Sequence, residues 1–393
     1  MCFQEVSLLA DGSPTDFFVG FTSAPQFHEL RSIVERSFTV LDAYVGMDGL
    51  PTFAVAAEPT KERFRNLIGE LSKTGLMATL RHEGESILVR VFSKPTPKPQ
   101  RYEVNFLLAA VTAATILYAG YWHVSLSPAS TILTLIMPEA NVFFQSALFA
   151  ASLFAIIAVH EFSHKAACKM HGLDSTMPYF IPGPPPFGTF GALISLRSPP
   201  LNRDQLFDLG FSGPIAGFTA TVAVVFLSFH MGVVVPNLQI ESWQKMGLPL
   251  QPITWPSTPL LILLASDLVR MLGLKAIPAG STVVLTQIEF AAWVGALLTF
   301  LNLLPIWQLD GGHISRAIFD VRGHRIATFV GLMVLVVSGY WFFALFILIW
   351  MFMAKRGFHG VEPLDSVSPL SRGRKGIYSL SIVMLILCFI AIV

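Results

Sequence analysis

Four apolar stretches, at about 104–122, 143–168, 209–235 and 287–308, are each long enough to cross a hydrocarbon layer of ~30 Å. In such a layer no water satisfies backbone N–H and C=O groups, so each stretch has to be helical. Further apolar runs cover 326–354 and 375–393. Only 13% of the 393 residues are charged and 53% are hydrophobic, too little polar surface for a soluble protein of this size. The charge is also unevenly placed. Of the 51 charged residues, 23 lie in the first 101 positions, so a soluble head is expected to precede a lipid-embedded body. A net charge of +1 argues against nucleic acid as a partner, and Cys2, Cys168 and Cys388 are too scattered for a disulfide framework. Met1-Cys2-Phe3-Gln4-Glu5 resembles neither a secretory signal nor an Arg- and Ser-rich transit segment, so insertion is expected to rely on the first internal span.

Residues 1–93 read as a small α/β domain. Phe27, Leu30, Ile33 and Val34 have helical spacing, as do Phe64, Leu67, Ile68 and Leu71 behind the start signal Pro59-Thr60. Strand-like runs occupy 38–45, 52–57, 77–82 and 86–93, the last two separated by a hairpin signal at Glu83-Gly84-Glu85. No catalytic or phosphate-binding motif occurs here, so a folding, regulatory or docking role is expected. Residues 94–103 form a linker, stiffened by Lys94-Pro95-Thr96-Pro97-Lys98-Pro99. The 123–142 loop has no Lys or Arg, whereas Lys94, Lys98, Arg101, Lys165, Lys169, Arg197, Arg203, Arg316, Arg322 and Arg325 mark the other side. The positive-inside rule therefore predicts that the head and the 169–208 and 309–325 loops are cytoplasmic. A multi-pass protein of a prokaryotic cell membrane is expected. Splitting 326–354 into two short spans near Ser338-Gly339-Tyr340 keeps Lys355, Arg356, Arg372, Arg374 and Lys375 on that side as well. This gives seven spans. The 259–274 segment, with Asp267 and Arg270, is expected to be interfacial or re-entrant.

The chemistry concentrates in His160-Glu161-Phe162-Ser163-His164, near the cytoplasmic end of the second span. Residues four apart share a helix face, so both imidazoles can hold one Zn²⁺, and Glu161 beside them can accept a proton from water activated there. Charged groups inside a span cost roughly 2.5–3.5 kcal/mol each, so the cluster needs a compensating role. The soluble alternatives for a third ligand fail. Six residues after His164 stands Met170, with His171 one place off, and no Glu occurs between 162 and 240. Cys168 shares the imidazole face but reads as a packing residue. Asp310, closing the span at 287–308, lies at the same depth and completes a His₂Asp site with its fourth position open. Gly311 and Gly312 are expected to let the backbone turn sharply after it.

His160-Glu161-Phe162-Ser163-His164 together with Asn302, Pro305, Leu309, Asp310 and Gly311 resembles the paired motifs of the site-2 proteases, intramembrane zinc metalloproteases of peptidase family M50. The likeness covers roughly 104–355. The segments 178–182, 187–192 and 212–218 are similar to the branch found in archaea, cyanobacteria and plant chloroplasts. The resemblance implies an α-helical polytopic membrane protein with a six-helix core, extended here by the loop and seventh span at 356–393. It also implies one Zn²⁺ per chain on His160, His164 and Asp310, with Glu161 catalytic, and a membrane-anchored protein as substrate in the lipid bilayer. A helical substrate must unwind to be cut, and its freed backbone needs partners. Gly191, Ala192, Leu193 and Ile194, in a strand-like stretch, are expected to offer an edge for it. Asn302, two turns before Asp310, is expected to offer its amide to the substrate oxygen. His313, next to Asp310, is the other histidine near enough to matter, while Gly213 and Gly217 suit close helix packing. A metal transporter and a non-catalytic membrane scaffold are the rival readings.

Overall fold

The computed structural model describes residues 2–4, 24–95, 99–126, 130, 133–134, 136–137, 139–246, 257–353 and 360–391. The centre of the Pro-rich linker, and Lys355 and Arg356, lie outside the described residues.

The head comes first. After β1 (Cys2–Gln4) follow α1 (Ala24–Glu35), β2 (Val40–Val45), β3 (Pro51–Val55), α2 (Thr60–Lys73), β4 (Leu76–Glu83) and β5 (Ser86–Ser93). Strands β2 to β5 form an antiparallel sheet in the order β2-β3-β5-β4. Its core holds Val34 of α1, Phe64, Leu67 and Leu71 of α2, and Phe53, Val89 and Val91 of the sheet. The α2 spacing of three and four residues puts these side chains on one stripe. The β4–β5 register pairs Glu83 with Ser86, which leaves the two-residue turn Gly84-Glu85, and Gly84 takes the left-handed φ of 60° there.

The body is helical. It contains α3 (Tyr102–Leu126), α4 (Val142–Met170), β6 (Tyr179–Pro182), β7 (Thr189–Leu196) and α5 (Arg203–Met231). Next along the chain come β8 (Val233–Pro236), α6 (Asn237–Lys245), α7 (Leu260–Met271) and β9 (Ser281–Val284). The chain then continues through α8 (Ile288–Leu303), α9 (Asp310–Ile318), α10 (Val321–Val337), α11 (Trp341–Met353) and α12 (Arg372–Leu387). Among the described residues, α3, α4 and α5 are long and apolar enough to cross a membrane, while α8 and α11 are shorter apolar helices. Large apolar side chains such as Phe106 and Leu107 of α3, Phe329 of α10 and Phe342 and Phe352 of α11 face outward. A girdle of this kind is stable against lipid rather than water. The run at 326–354 is interrupted at Ser338-Gly339-Tyr340, where Gly339 has a φ of 88°, so two helices replace one.

The β6–β7 hairpin descends along α3. The Asn105 amide donates to the carbonyls of Met177 and Pro178, Thr115 donates to the Gly188 carbonyl at 2.7 Å, and His123 Nε2 meets the Pro186 carbonyl at 3.0 Å. Asn105 and His123 are about 27 Å apart along the helix. The hairpin therefore reaches deep into the body, with part of its polar backbone satisfied by strand pairing and by α3. In its sheet β7 lies between β6 and β1, and Cys2–Gln4 run parallel to Ile194–Leu196. The edge expected at 191–194 is thus narrower than the sequence suggests: Ile194 already pairs with β1, and among the described residues the edge is open only up to Leu193.

Candidate metal centre

Two helices and one turn deliver the site. Helix α4 starts at Asn141, whose side chain accepts the Phe144 N–H, and runs without interruption to Met170. His160 and His164, four residues apart, project from the same face. Asp310 comes from a separate segment of the chain. Helix α8 ends at Leu303, and the chain turns through Pro305-Ile306-Trp307-Gln308-Leu309. Trp307 takes a φ of 42°, and its N–H donates to Thr328 Oγ1 of α10 at 3.1 Å. Asp310 is then the first residue of α9.

That position corrects the role expected for Gly311 and Gly312. They are the second and third residues of a helix rather than a turn after the ligand. Their lack of a side chain serves close approach, since a Cβ on Gly311 would stand 2.1 Å from the Leu303 carbonyl oxygen and one on Gly312 2.2 Å from that of Trp307. The sharp turn belongs to Trp307, a bulky residue held in a sparsely populated conformation.

The three side chains converge. His160 Nε2 lies 3.1 Å from Asp310 Oδ2, His164 Nε2 lies 3.3 Å from Asp310 Oδ1, and the two Nε2 atoms are 3.2 Å apart. His164 and Asp310 are fully buried and His160 nearly so. His164 Nδ1 donates to the Leu209 carbonyl at 2.8 Å, with Ser212 Oγ at 3.3 Å. With its proton engaged there, His164 turns the lone pair of Nε2 towards Asp310 and His160. Asp310 Oδ1 accordingly finds no hydrogen-bond donor. A carboxylate oxygen and an imidazole lone pair facing each other at 3.3 Å, away from water, call for a cation between them. A tetrahedral zinc site with bonds of ~2.0–2.1 Å has donor–donor edges of about 3.3 Å, which matches all three separations. The residues fit a zinc ion. His160, His164 and Asp310 are also the group of possible metal ligands found among the described residues.

A pocket opens beside this centre. It is lined by His160, Glu161, Asn302, Thr299, Gly191 and Ala192 among others, with Phe190 at its mouth. Glu161 is 2% exposed. Asn302 Nδ2 stands 3.5 Å from His160 Nε2, so its amide borders the metal-binding face. Of the four residues expected on the substrate edge, Gly191 and Ala192 line the pocket; Leu193 and Ile194 do not. Phe190 occupies the register shift opposite Ile181 and Pro182, a bulge that turns its ring outward. Cys168 is buried in a small apolar cluster with Ala167, Leu196 and Leu209. His313 is buried on α9, outside the ligand group.

Gly213 and Gly217 carry a role that the sequence reading missed. Both lie on α5 against the imidazoles. A Cβ on Gly213 would come 2.1 Å from His164 Nε2 and 2.7 Å from His160 Nε2; one on Gly217 would come 2.8 Å from His160 Nδ1. Their spacing of four was visible, but the imidazoles they face come from another helix. Gly213→Ala is expected to displace both ligating nitrogens and lower zinc affinity at least tenfold, with a smaller loss for Gly217→Ala, as read by chelator competition.

A helical bundle that buries two imidazoles and a carboxylate at metal-binding distance inside an apolar body defines a membrane-embedded metalloprotein. Residues 148–345 match the family described as peptidase family M50, and the chain belongs to that family. It is similar to the probable zinc metalloprotease EGY2, chloroplastic, of Oryza sativa subsp. indica, with 26% identity over 280 residues, 70% of this chain and 47% of the relative. It also resembles the probable zinc metalloprotease EGY1, chloroplastic, of Oryza sativa subsp. japonica, with 26% identity over 66% of this chain and 47% of the relative. The EGY2 protein of Arabidopsis thaliana is 27% identical over 44% of this chain and 28% of its own length. The chain spans about half the length of the rice relatives. No solved structure matches it.

Proposed function

We propose that this chain is an intramembrane zinc metalloprotease that hydrolyses peptide bonds within or beside the transmembrane helices of membrane-anchored proteins. The convergence of His160, His164 and Asp310 on one point, with Glu161 in the adjoining pocket, carries this reading. His160, His164 and Asp310 hold the zinc. When bound, the ion supplies a Lewis acid that polarises the scissile carbonyl and makes water acidic enough to attack near neutral pH.

The remaining work falls to the protein. Glu161 accepts the proton of the attacking water and passes it to the leaving amide nitrogen. The Asn302 amide donates to the substrate oxygen as charge builds on it. The open edge of β7 at Gly191, Ala192 and Leu193 pairs with substrate backbone unwound from its helix, replacing hydrogen bonds that lipid cannot offer. Ile194, already paired with β1, marks where that pairing ends. The basic side, which carries the head, faces the cytoplasm by the positive-inside rule, and the substrate enters the site within the bilayer.

The test is cleavage of a model single-span protein by the purified chain before chelation, after chelation and after zinc is restored. Loss on chelation and recovery with zinc are expected. Undiminished cutting by fully stripped protein, or no cutting by zinc-loaded protein on a panel of single-span substrates, overturns the proposal.

A further inference from the structure

The head is fastened to the body by the segment between α11 and α12. Leu80 N–H of β4 donates to the Leu364 carbonyl at 2.8 Å, and Ser366 N–H donates back to the Leu80 carbonyl at 3.2 Å. The same segment grips the turn before α5, where the N–H groups of Leu364 and Asp365 donate to the carbonyls of Pro200 and Leu201 at 2.9 and 2.8 Å. Thr60 and Ser368 share a hydroxyl contact of 2.7 Å, and Lys61 of α2 pairs with Asp204 of α5 at 2.6 Å. So many directional bonds across one junction indicate a fixed seat for the head.

Within that junction one carboxylate, Glu362, touches both the head and α9. Arg316 stands on α9, six residues after Asp310 and so about 9 Å further along the helix. Its side chain is 2% exposed, and its guanidinium donates to Glu362 Oε1 at 3.2 Å. The other oxygen of Glu362 lies 3.4 Å from Arg81 Nε of β4. Arg81 in turn donates to the carbonyls of Leu80 and Leu364 at 3.0 and 2.6 Å. Burial lowers the pKa of Arg81, and the Glu362 carboxylate opposes that shift. A buried guanidinium is costly unless paired, so Arg316 ties the position of α9 to that of Glu362. Glu362, shared between two cations, is tied to the head.

We propose that Arg81, acting through Glu362 and Arg316, is a positioning residue for Asp310, so that seating of the head sets the affinity of the metal centre. The proposal rests on the metal-centre reading above. It gives the head a task in a chain where the head carries no catalytic motif: whatever loosens it from residues 360–371 loosens the third ligand. Helix α9 suits this role because it is only nine residues long and carries the ligand in its first turn and the tethered arginine in its second.

The test is zinc affinity of the full chain by chelator competition, with zinc-free thermal unfolding measured alongside. Arg81→Met and Glu362→Gln are each expected to weaken zinc binding about three- to tenfold. The double variant should lose little more than either alone, since both cut one route. Arg81→Lys should recover most of the loss. Arg90→Met, which removes the ion pair of Arg90 with Glu83 inside the head, should bind zinc as the wild type does. Wild-type affinity in folded Arg81→Met, or an equal loss in Arg90→Met, overturns the proposal. If Arg81→Met fails to fold, Glu362→Gln decides on the same criterion. If the wild type itself takes up no zinc, the metal-centre reading falls and this one falls with it.

Discussion

Replacing Glu161 with Gln is expected to reduce cleavage of a single-span protein by about 10²–10⁴-fold while one zinc per chain remains bound. The two side chains have nearly the same shape, but the amide cannot accept the proton that the attacking water must lose. Zinc should stay because the converging donor atoms belong to His160, His164 and Asp310, with Glu161 outside the group. The paired measurements are metal content and the rate of appearance of cleaved product in liposomes. The comparison also separates the rival readings. A metal transporter would keep its flux in the Gln variant, and a scaffold would cut in neither form. Near wild-type cleavage by Glu161→Gln would remove Glu161 from the chemistry.

Much of this site could be read from the sequence because its parts are local. The spacing of His160 and His164 needs only the helical period, and the depth of Asp310 needs only the length of the preceding span and the direction set by the basic loops. The break at Ser338-Gly339-Tyr340 was legible from the same charge argument. Long-range packing was not. The sequence showed that Gly311 and Gly312 were unusual. Whether they served a turn or close contact depended on Trp307, four and five residues earlier, taking the left-handed conformation itself. Gly213 and Gly217 announced close packing, but their partners on α4 became visible only in three dimensions. The contact of Arg316 with Glu362 spans 46 positions and that of Arg81 with Glu362 spans 281, so no local pattern could have linked the head to α9. The pairing of β1 with β7 joins residues about 190 apart, which is why the free edge was drawn one residue too long.

Asp310→Ala should abolish zinc binding at working concentrations, with affinity falling roughly a hundredfold or more. Structural zinc sites with four ligands release about 10–16 kcal/mol on binding, so one ligand of three carries several of these. The charge deepens the loss. In a buried site the dication is balanced by this one carboxylate among three ligand side chains, and a site of two neutral imidazoles leaves it uncompensated. Asp310→Asn keeps the shape and one oxygen but removes the charge, and should fall between Ala and the wild type. Stability separates loss of a ligand from loss of the fold. Without zinc, Asp310 is a fully buried carboxylate whose Oδ2 meets His160 Nε2 at 3.1 Å while Oδ1 lacks any hydrogen-bond donor, so its removal gives up one contact and relieves a desolvated charge. Zinc-free Asp310→Ala should therefore still fold and melt near zinc-free wild type. Added zinc should raise the melting temperature of the wild type, by an amount that grows with the logarithm of zinc concentration above its Kd, and leave the variant unmoved. An Asp310→Ala protein that still binds zinc stoichiometrically with wild-type affinity would show that α9 does not supply the third ligand.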